Sequence, residues 1–99
     1  MKESEKVLEA RLRREVEKRG GQALKLLSQL HRGLPDRMVL LPRGHIYFVE
    51  LKSTGEKPTA LQLRCHRMLQ SLGFQVYVVD STPSLTYFLE IIDTHAMIG

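Results

Sequence analysis

The sequence predicts an α/β domain: a mixed sheet of about four strands with helices packed on it, in the order α-β-β-β-α-β-α. Three observations carry this. Leu8, Leu12 and Val16 recur every four residues and stop at Gly20-Gly21, the pattern of an amphipathic helix. Two apolar runs, Met38 to Leu41 and Ile46 to Leu51, flank Pro42-Arg43-Gly44-His45 and read as a hairpin. A second helical pattern ends at Gly73 and is followed at once by the apolar run Phe74 to Val79, as in a helix leading into a strand.

The elements follow in order. Residues 4–19 form the first helix, with Ser4 placed to cap it. Gln22 to Leu30 is the first strand, a weak one, because Ala, Leu and Lys are not strand formers. Gly33-Leu34-Pro35 is a loop, and the hairpin comes next with a four-residue turn, so that Leu41 should pair with Ile46. Ser53 to Pro58 is a polar loop. Residues 59–72 form the second helix, with Leu61, Cys65, Met68, Leu69 and Leu72 on its apolar stripe. Phe74 to Val79 is apolar enough for a central buried strand. Thr82-Pro83 opens a third helix running to about Asp93.

Ninety-nine residues make one domain, residues 1–99, with enough chain for a single core. No run approaches the ~20 apolar residues needed to cross a bilayer, and Met1 to Lys6 has no apolar signal-peptide core. Cys65 is alone, which excludes an intrachain disulfide and a Cys-rich zinc site. A cytoplasmic protein is the expectation. The net charge is +4, and it is the placement that matters: Arg11, Arg13, Arg14, Lys18 and Arg19 crowd one segment, Arg64 and Arg67 another. Such clusters suit phosphate contact, or else are solvated helix faces.

The chemistry-bearing residues lie on the hairpin. Alternate strand residues share a face, so Glu50 and Lys52 point the same way. With the four-residue turn, Asp36 falls opposite Leu51 and diagonal to Glu50. Both carboxylates then reach one hard cation, with the Leu51 backbone carbonyl as a third oxygen, the ligand chemistry magnesium prefers. Phosphodiester hydrolysis needs an activated water, relief of charge at phosphorus and a stabilised leaving oxygen. A divalent ion and a nearby ammonium such as that of Lys52 supply these. Glu-x-Lys is common by chance and Pro-Asp is an ordinary turn. Their arrangement is more specific, because Pro35-Asp36 opens one hairpin strand and Glu50-Leu51-Lys52 closes the other.

At these residues the chain resembles the VRR-NUC domains of the PD-(D/E)xK nuclease superfamily, in their stand-alone phage and bacterial form. The matching segments are Leu8-Glu9-Ala10, Gly20-Gly21 with Lys25, Arg32-Gly33-Leu34-Pro35-Asp36-Arg37, Leu41-Pro42-Arg43-Gly44, Phe48-Val49-Glu50-Leu51-Lys52, Gln62, and Gly73 through Val78. The resemblance covers about residues 8 to 80. It implies a restriction-endonuclease-like fold that cuts DNA with Mg²⁺ or Mn²⁺. Asp36 and Glu50 would be metal ligands, Lys52 the catalytic lysine, Glu9 the helix-borne acid and Gln62 the glutamine that closes the site. Lys25, Arg32, Arg37, Arg64 and His66 are the candidate DNA contacts. It also implies a bacterial or phage-infected host cytoplasm, and a homodimer whose two sites face branched DNA such as a four-way (Holliday) junction.

Several positions carry two readings. Glu5, one turn before Glu9, rivals it as the helix-borne acid. Gln62 stands three residues after Thr59, the spacing of a capping box. Tyr87 and Ile91 project away from the Leu85-Phe88-Leu89-Ile92 stripe, Met97 and Ile98 follow the helix, and Leu63 lies opposite the stripe of the second helix; a partner subunit or ordinary scattered exposure accounts for them. A catalytically idle DNA-binding module and a magnesium enzyme for a small phosphate ester are the rival functions. The second lacks a Gly-rich phosphate loop.

Overall fold

The computed structural model describes residues 2–27 and 32–98. Its elements are α1 (Glu5–Lys18), β1 (Gln22–Lys25), β2 (Arg37–Leu41), β3 (His45–Leu51), α2 (Ala60–Ser71), β4 (Gln75–Val79) and α3 (Thr82–Ile98). The sheet order is β1-β2-β3-β4, antiparallel from β1 to β3 and parallel between β3 and β4. This is the expected order and a mixed sheet. Ser4 Oγ accepts from the Val7 N–H at 3.2 Å, capping α1 as its position suggested.

Period-two alternation on β3 sorts the core. Tyr47, Val49 and Leu51 join Val39, Ala23 and Val79 beneath α1 and α3, which contribute Leu8, Leu12, Val16, Leu85, Phe88 and Ile92. Phe48, with Met38 and Val76, faces α2 and packs on Cys65 and Leu69. The central buried strand is therefore β3, covered on both faces. β4, expected in that role, is the sheet's edge and mostly half-buried.

Other boundaries also move. Within the described residues β1 ends at Lys25, and residues 28–30 of the expected strand lie outside them. The apolar stripe of α2 is rotated: Cys65, His66 and Leu69 are buried, whereas Leu61, Met68 and Leu72 are exposed. The rotation turns Gln62 and His66 toward Glu50. α3 continues past Asp93 to Ile98 because its last turns are held from outside. Arg19 grips Asp93 through two nitrogens at 2.7 and 3.0 Å, and the Tyr47 hydroxyl meets His95 Nδ1 at 2.6 Å. The Arg43 guanidinium donates to the Ala96 carbonyl. Tyr87 and Met97 stand exposed, at 57% and 87%, and no helix among the described residues is long and apolar enough to cross a membrane.

The hairpin closes one residue sooner than expected. Arg43 (φ 67°) and Gly44 (φ 77°) both take left-handed backbone, so Pro42–Gly44 makes the turn and Leu41 pairs with His45. The register runs down to Arg37 opposite Val49. One step further, Asp36 stands abreast of Glu50, not of Leu51. Because a one-residue slip exchanges the two faces of a strand, this correction puts Asp36 and Glu50 on the same face.

Candidate active site

The site lies at the sheet end where β2 begins and β3 stops. Asp36 is fixed by the backbone on both sides: its carbonyl accepts from the Leu26 N–H at 2.9 Å, and its Oδ2 from the Leu51 N–H at 2.7 Å. The Leu51 backbone thus meets Asp36 through its amide. Glu50 is 1% exposed, inside the α2 face of the sheet. Each of its carboxyl oxygens meets a side chain from α2. Gln62 Nε2 donates to Oε2 at 3.1 Å, and His66 Nε2 lies 3.2 Å from Oε1. Gln62 and His66 are one turn apart, which sets them side by side on the helix.

Gln62 does both things its position allowed. Its Oε1 accepts from the Thr59 N–H at 2.8 Å while Thr59 Oγ1 accepts from the Gln62 N–H at 3.1 Å, a complete capping box. Its amide nitrogen remains free for Glu50.

The electrostatics are those of a site short of positive charge. Burial first, and the adjoining Asp36 carboxyl second, push Glu50 up to about 8, against the opposing pull of Lys52; the Glu5 charge adds slightly to the rise. Burial holds the His66 imidazole below its ordinary range. Asp36, Glu50, Lys52 and His66 therefore lie within one another's fields.

Could these residues take a divalent cation? Two carboxylates crowded together, one of them almost wholly desolvated, are relieved by a doubly charged ion between them. The donors are all oxygen, as Mg²⁺ and Mn²⁺ require, and Mg²⁺ commonly uses only one or two carboxylates and fills the rest of its shell with water. Among the described residues no group of three or more His, Cys, Asp and Glu side chains is placed to hold a metal ion, so the fit rests on the Asp36–Glu50 pair. The residues fit the group.

An open cleft of about 190 Å³ adjoins the site, lined by Glu5, Glu9, Lys25, Asp36, Arg37 and Leu51. Both rival acids of α1 line it. Glu9 Oε1 accepts from Arg37 at 2.7 Å and lies 3.8 Å from Arg13, whereas the Glu5 charge adds to the rise at Glu50.

The candidate DNA contacts divide. Lys25, Arg32 and Arg64 are exposed, and Arg32 and Arg64 flank one shallow depression floored by Leu61, Cys65 and Met68. Arg37 does not project outward: it donates to Glu9 and to the Ala23 carbonyl and is mostly covered. His66, 5% exposed, faces Glu50 and not the surface. The basic cluster of α1 is also largely spent within the protein, since Arg11 pairs with Glu3, Lys18 with Glu15, and Arg19 with Glu15 and Asp93. The i,i+4 spacing of Gln62 and His66 was the available signal for the inward histidine. The Arg37 pairing with a helix 28 residues earlier in the chain had none.

No protein-family model matches the chain. A protein of Acyrthosiphon pisum secondary endosymbiont phage 1, named "Putative nuclease p44", is 55% identical over 74 residues, which span 75% of this chain and 80% of p44. A solved structure titled "VRR_NUC domain" superposes with a TM-score of 0.83 at 33% identity, covering 89% of this chain and 97% of that one.

Proposed function

The chain belongs to the VRR-NUC family of nucleases, and on that premise we propose that it is a metal-dependent DNA endonuclease working at Asp36, Glu50 and Lys52. The observation that carries this is the placement of the buried Glu50 carboxyl abreast of the half-buried Asp36 at the sheet's end, with Lys52 two residues further along the same strand. Asp36 and Glu50 would hold Mg²⁺ or Mn²⁺, with the Leu51 carbonyl as a further oxygen donor. When bound there, the ion lowers the pKa of its water and offsets charge on the phosphate.

The rest falls to the chain's own groups. Water adds its oxygen to phosphorus, the bond from phosphorus to one ester oxygen breaks, and that oxygen leaves with a proton. The Lys52 ammonium stabilises charge on the phosphoryl oxygens and orients the attacking water. Gln62 and His66 hold the Glu50 carboxylate in one orientation, so that no reorganisation is needed when it binds. The α1 acid, Glu9 or Glu5, lines the approach to the same point. Lys25, Arg32 and Arg64 would take up flanking phosphates, contacts that position the protein on DNA without reading its bases.

We further propose a homodimer acting on branched DNA, such as four-way junctions, in a bacterial or phage-infected cytoplasm. Tyr87, Met97, Ile98 and Leu63 are exposed apolar residues that a two-fold partner would cover. An idle DNA-binding module has no use for a desolvated carboxylate braced on both oxygens. Incubating supercoiled, linear and branched DNA with Mg²⁺, with Mn²⁺ and with chelator tests the reading: cleavage of branched DNA that chelator abolishes is expected, and metal-independent cutting or none refutes it. Light scattering tests the dimer, against a monomer of 11.4 kDa.

A further inference from the structure

The segment before α1 lies along the loop that leaves the catalytic strand. Lys52 is the last residue there tied to the sheet, its N–H donating to the Val79 carbonyl at 3.0 Å. Beyond it the chain turns through Ser53–Gly55, and the segment Glu3–Glu5 takes over. The Thr54 N–H donates to the Glu3 carbonyl at 3.0 Å, and the Glu3 N–H donates to Thr54 Oγ1 at 3.0 Å. The Thr54 hydroxyl donates onward to the Asp80 carbonyl at 2.6 Å, and the Glu5 N–H donates to Ser53 Oγ at 3.3 Å.

Glu3 is itself anchored. Its Oε1 accepts from the Thr82 N–H at 2.6 Å, and its Oε2 from the Thr82 hydroxyl at 2.7 Å and from Arg11 at 3.1 Å. Thr82 is the first residue of α3, where free N–H groups and the helix dipole favour a carboxylate. Ser4, the next residue, caps α1. Three elements distant in sequence thus meet on Glu3: the start of α3, the start of α1 with its acids Glu5 and Glu9, and the loop after Lys52. A mere cap on α3 would use only the side chain. Here the main chain of Glu3 also brackets Thr54, on its amide and its hydroxyl.

We infer that Glu3 is a positioning residue, which locks the Ser53–Thr54 loop to the N-terminus of α3 and thereby fixes the Lys52 ammonium relative to the Asp36–Glu50 pair. The inference rests on the nuclease reading above. Displacing a catalytic group by about 1 Å can cost a hundredfold in rate, and without the Glu3 carboxylate the main-chain bonds that bracket Thr54 lose their anchor on Thr82 and Arg11.

The test is steady-state cleavage of branched DNA with Mn²⁺ by wild type, Glu3→Ala, Thr54→Val and Glu3→Gln, well below their melting temperatures. Glu3→Ala and Thr54→Val should lower kcat by roughly ten- to a hundredfold, while KM stays within about twofold. The Mn²⁺-induced rise in melting temperature should persist in both, because neither touches Asp36 or Glu50. Glu3→Gln keeps an acceptor for the Thr82 N–H and should recover most of the rate. Ile92→Val, a core variant of comparable stability loss, should retain full kcat. An unchanged kcat in both Glu3→Ala and Thr54→Val overturns the inference, as does an equal loss in Ile92→Val. Wild-type protein that cuts nothing overturns the nuclease reading and this inference with it; a cutting wild type with an equally fast Glu3→Ala overturns this inference alone.

Discussion

Replacing Glu50 by Gln should make the metal-free protein more stable, and increasingly so as pH rises. Glu50 has a folded-state pKa of about 8, against 4.5 for the free side chain. Between those values the folded protein keeps a proton that the unfolded chain has released, so unfolding becomes easier with each step upward in pH. The contribution is intact below pH 4.5, declines from there, and is fully lost above pH 8. At about 1.36 kcal/mol per pH unit, the loss is about 3 kcal/mol between pH 5 and 7 and about 5 kcal/mol in full. Glutamine has nearly the same shape, can still accept from Gln62, and can donate to Asp36, but it carries no charge to desolvate. Urea unfolding of both proteins in chelator at pH 5, 7 and 8.5 reads the difference directly. The curves should diverge by several kcal/mol, with the variant ahead at high pH. Parallel pH profiles would refute the claim that Glu50 is ionised at a cost in the empty site. Mn²⁺ should stabilise wild type more at pH 8 than at pH 6, since it competes with the proton there, and should barely stabilise the variant.

Gln62→Glu separates the two jobs of that residue: the cap on α2 survives, so the melting temperature should fall little, but a third carboxyl now faces Glu50 and cleavage should collapse. Gln62→Leu loses the cap as well and should cost about 1–2 kcal/mol in urea unfolding. Arg64→Ala should reduce the slope of log Kd for DNA against log salt by about one, whereas Arg37→Ala, which breaks an internal pair with Glu9, should lower stability and leave that slope unchanged. Gly21→Ala should destabilise by about 2–3 kcal/mol, because its Cβ would stand 2.3 Å from the Leu40 carbonyl oxygen; an unshifted thermal midpoint would show that the α1–β1 junction can open.

What could be read in the sequence was whatever periodicity and turn chemistry encode locally. The order of elements, the core stripe of α1 and the caps at Ser4 and Thr59 were all visible there. The hairpin was visible too, but not its register. That depends on Arg43 adopting left-handed backbone, which a bulky residue rarely does and no pattern announces. The stripe of α2 was misplaced because Leu61, Met68 and Leu72 are more apolar than Gln62 and His66, yet it is the polar pair that turns inward. A buried carboxylate needs donors more than it needs hydrocarbon. The roles of Arg37, Arg11 and Arg19 were hidden for another reason. Arg37 and Arg19 find carboxylates on other helices and Arg11 on the segment before its own, and a cation's partner cannot be found until the chain has folded. Glu3 was silent in the sequence for the same reason, since its partners Thr54 and Thr82 lie 51 and 79 residues away.

Whether Asp36, Glu50 and Lys52 form one metal-dependent hydrolytic site is tested most directly by single-turnover cleavage of a labelled four-way junction by wild type, Asp36→Asn and Lys52→Ala, each with Mg²⁺ and with chelator. Wild type should cut with Mg²⁺ and not with chelator, and neither variant should cut in either condition. Both variants should bind the junction with near-normal affinity, since the exposed arginines supply the contact. Cleavage by purified Lys52→Ala or Asp36→Asn at a rate close to wild type would contradict that assignment.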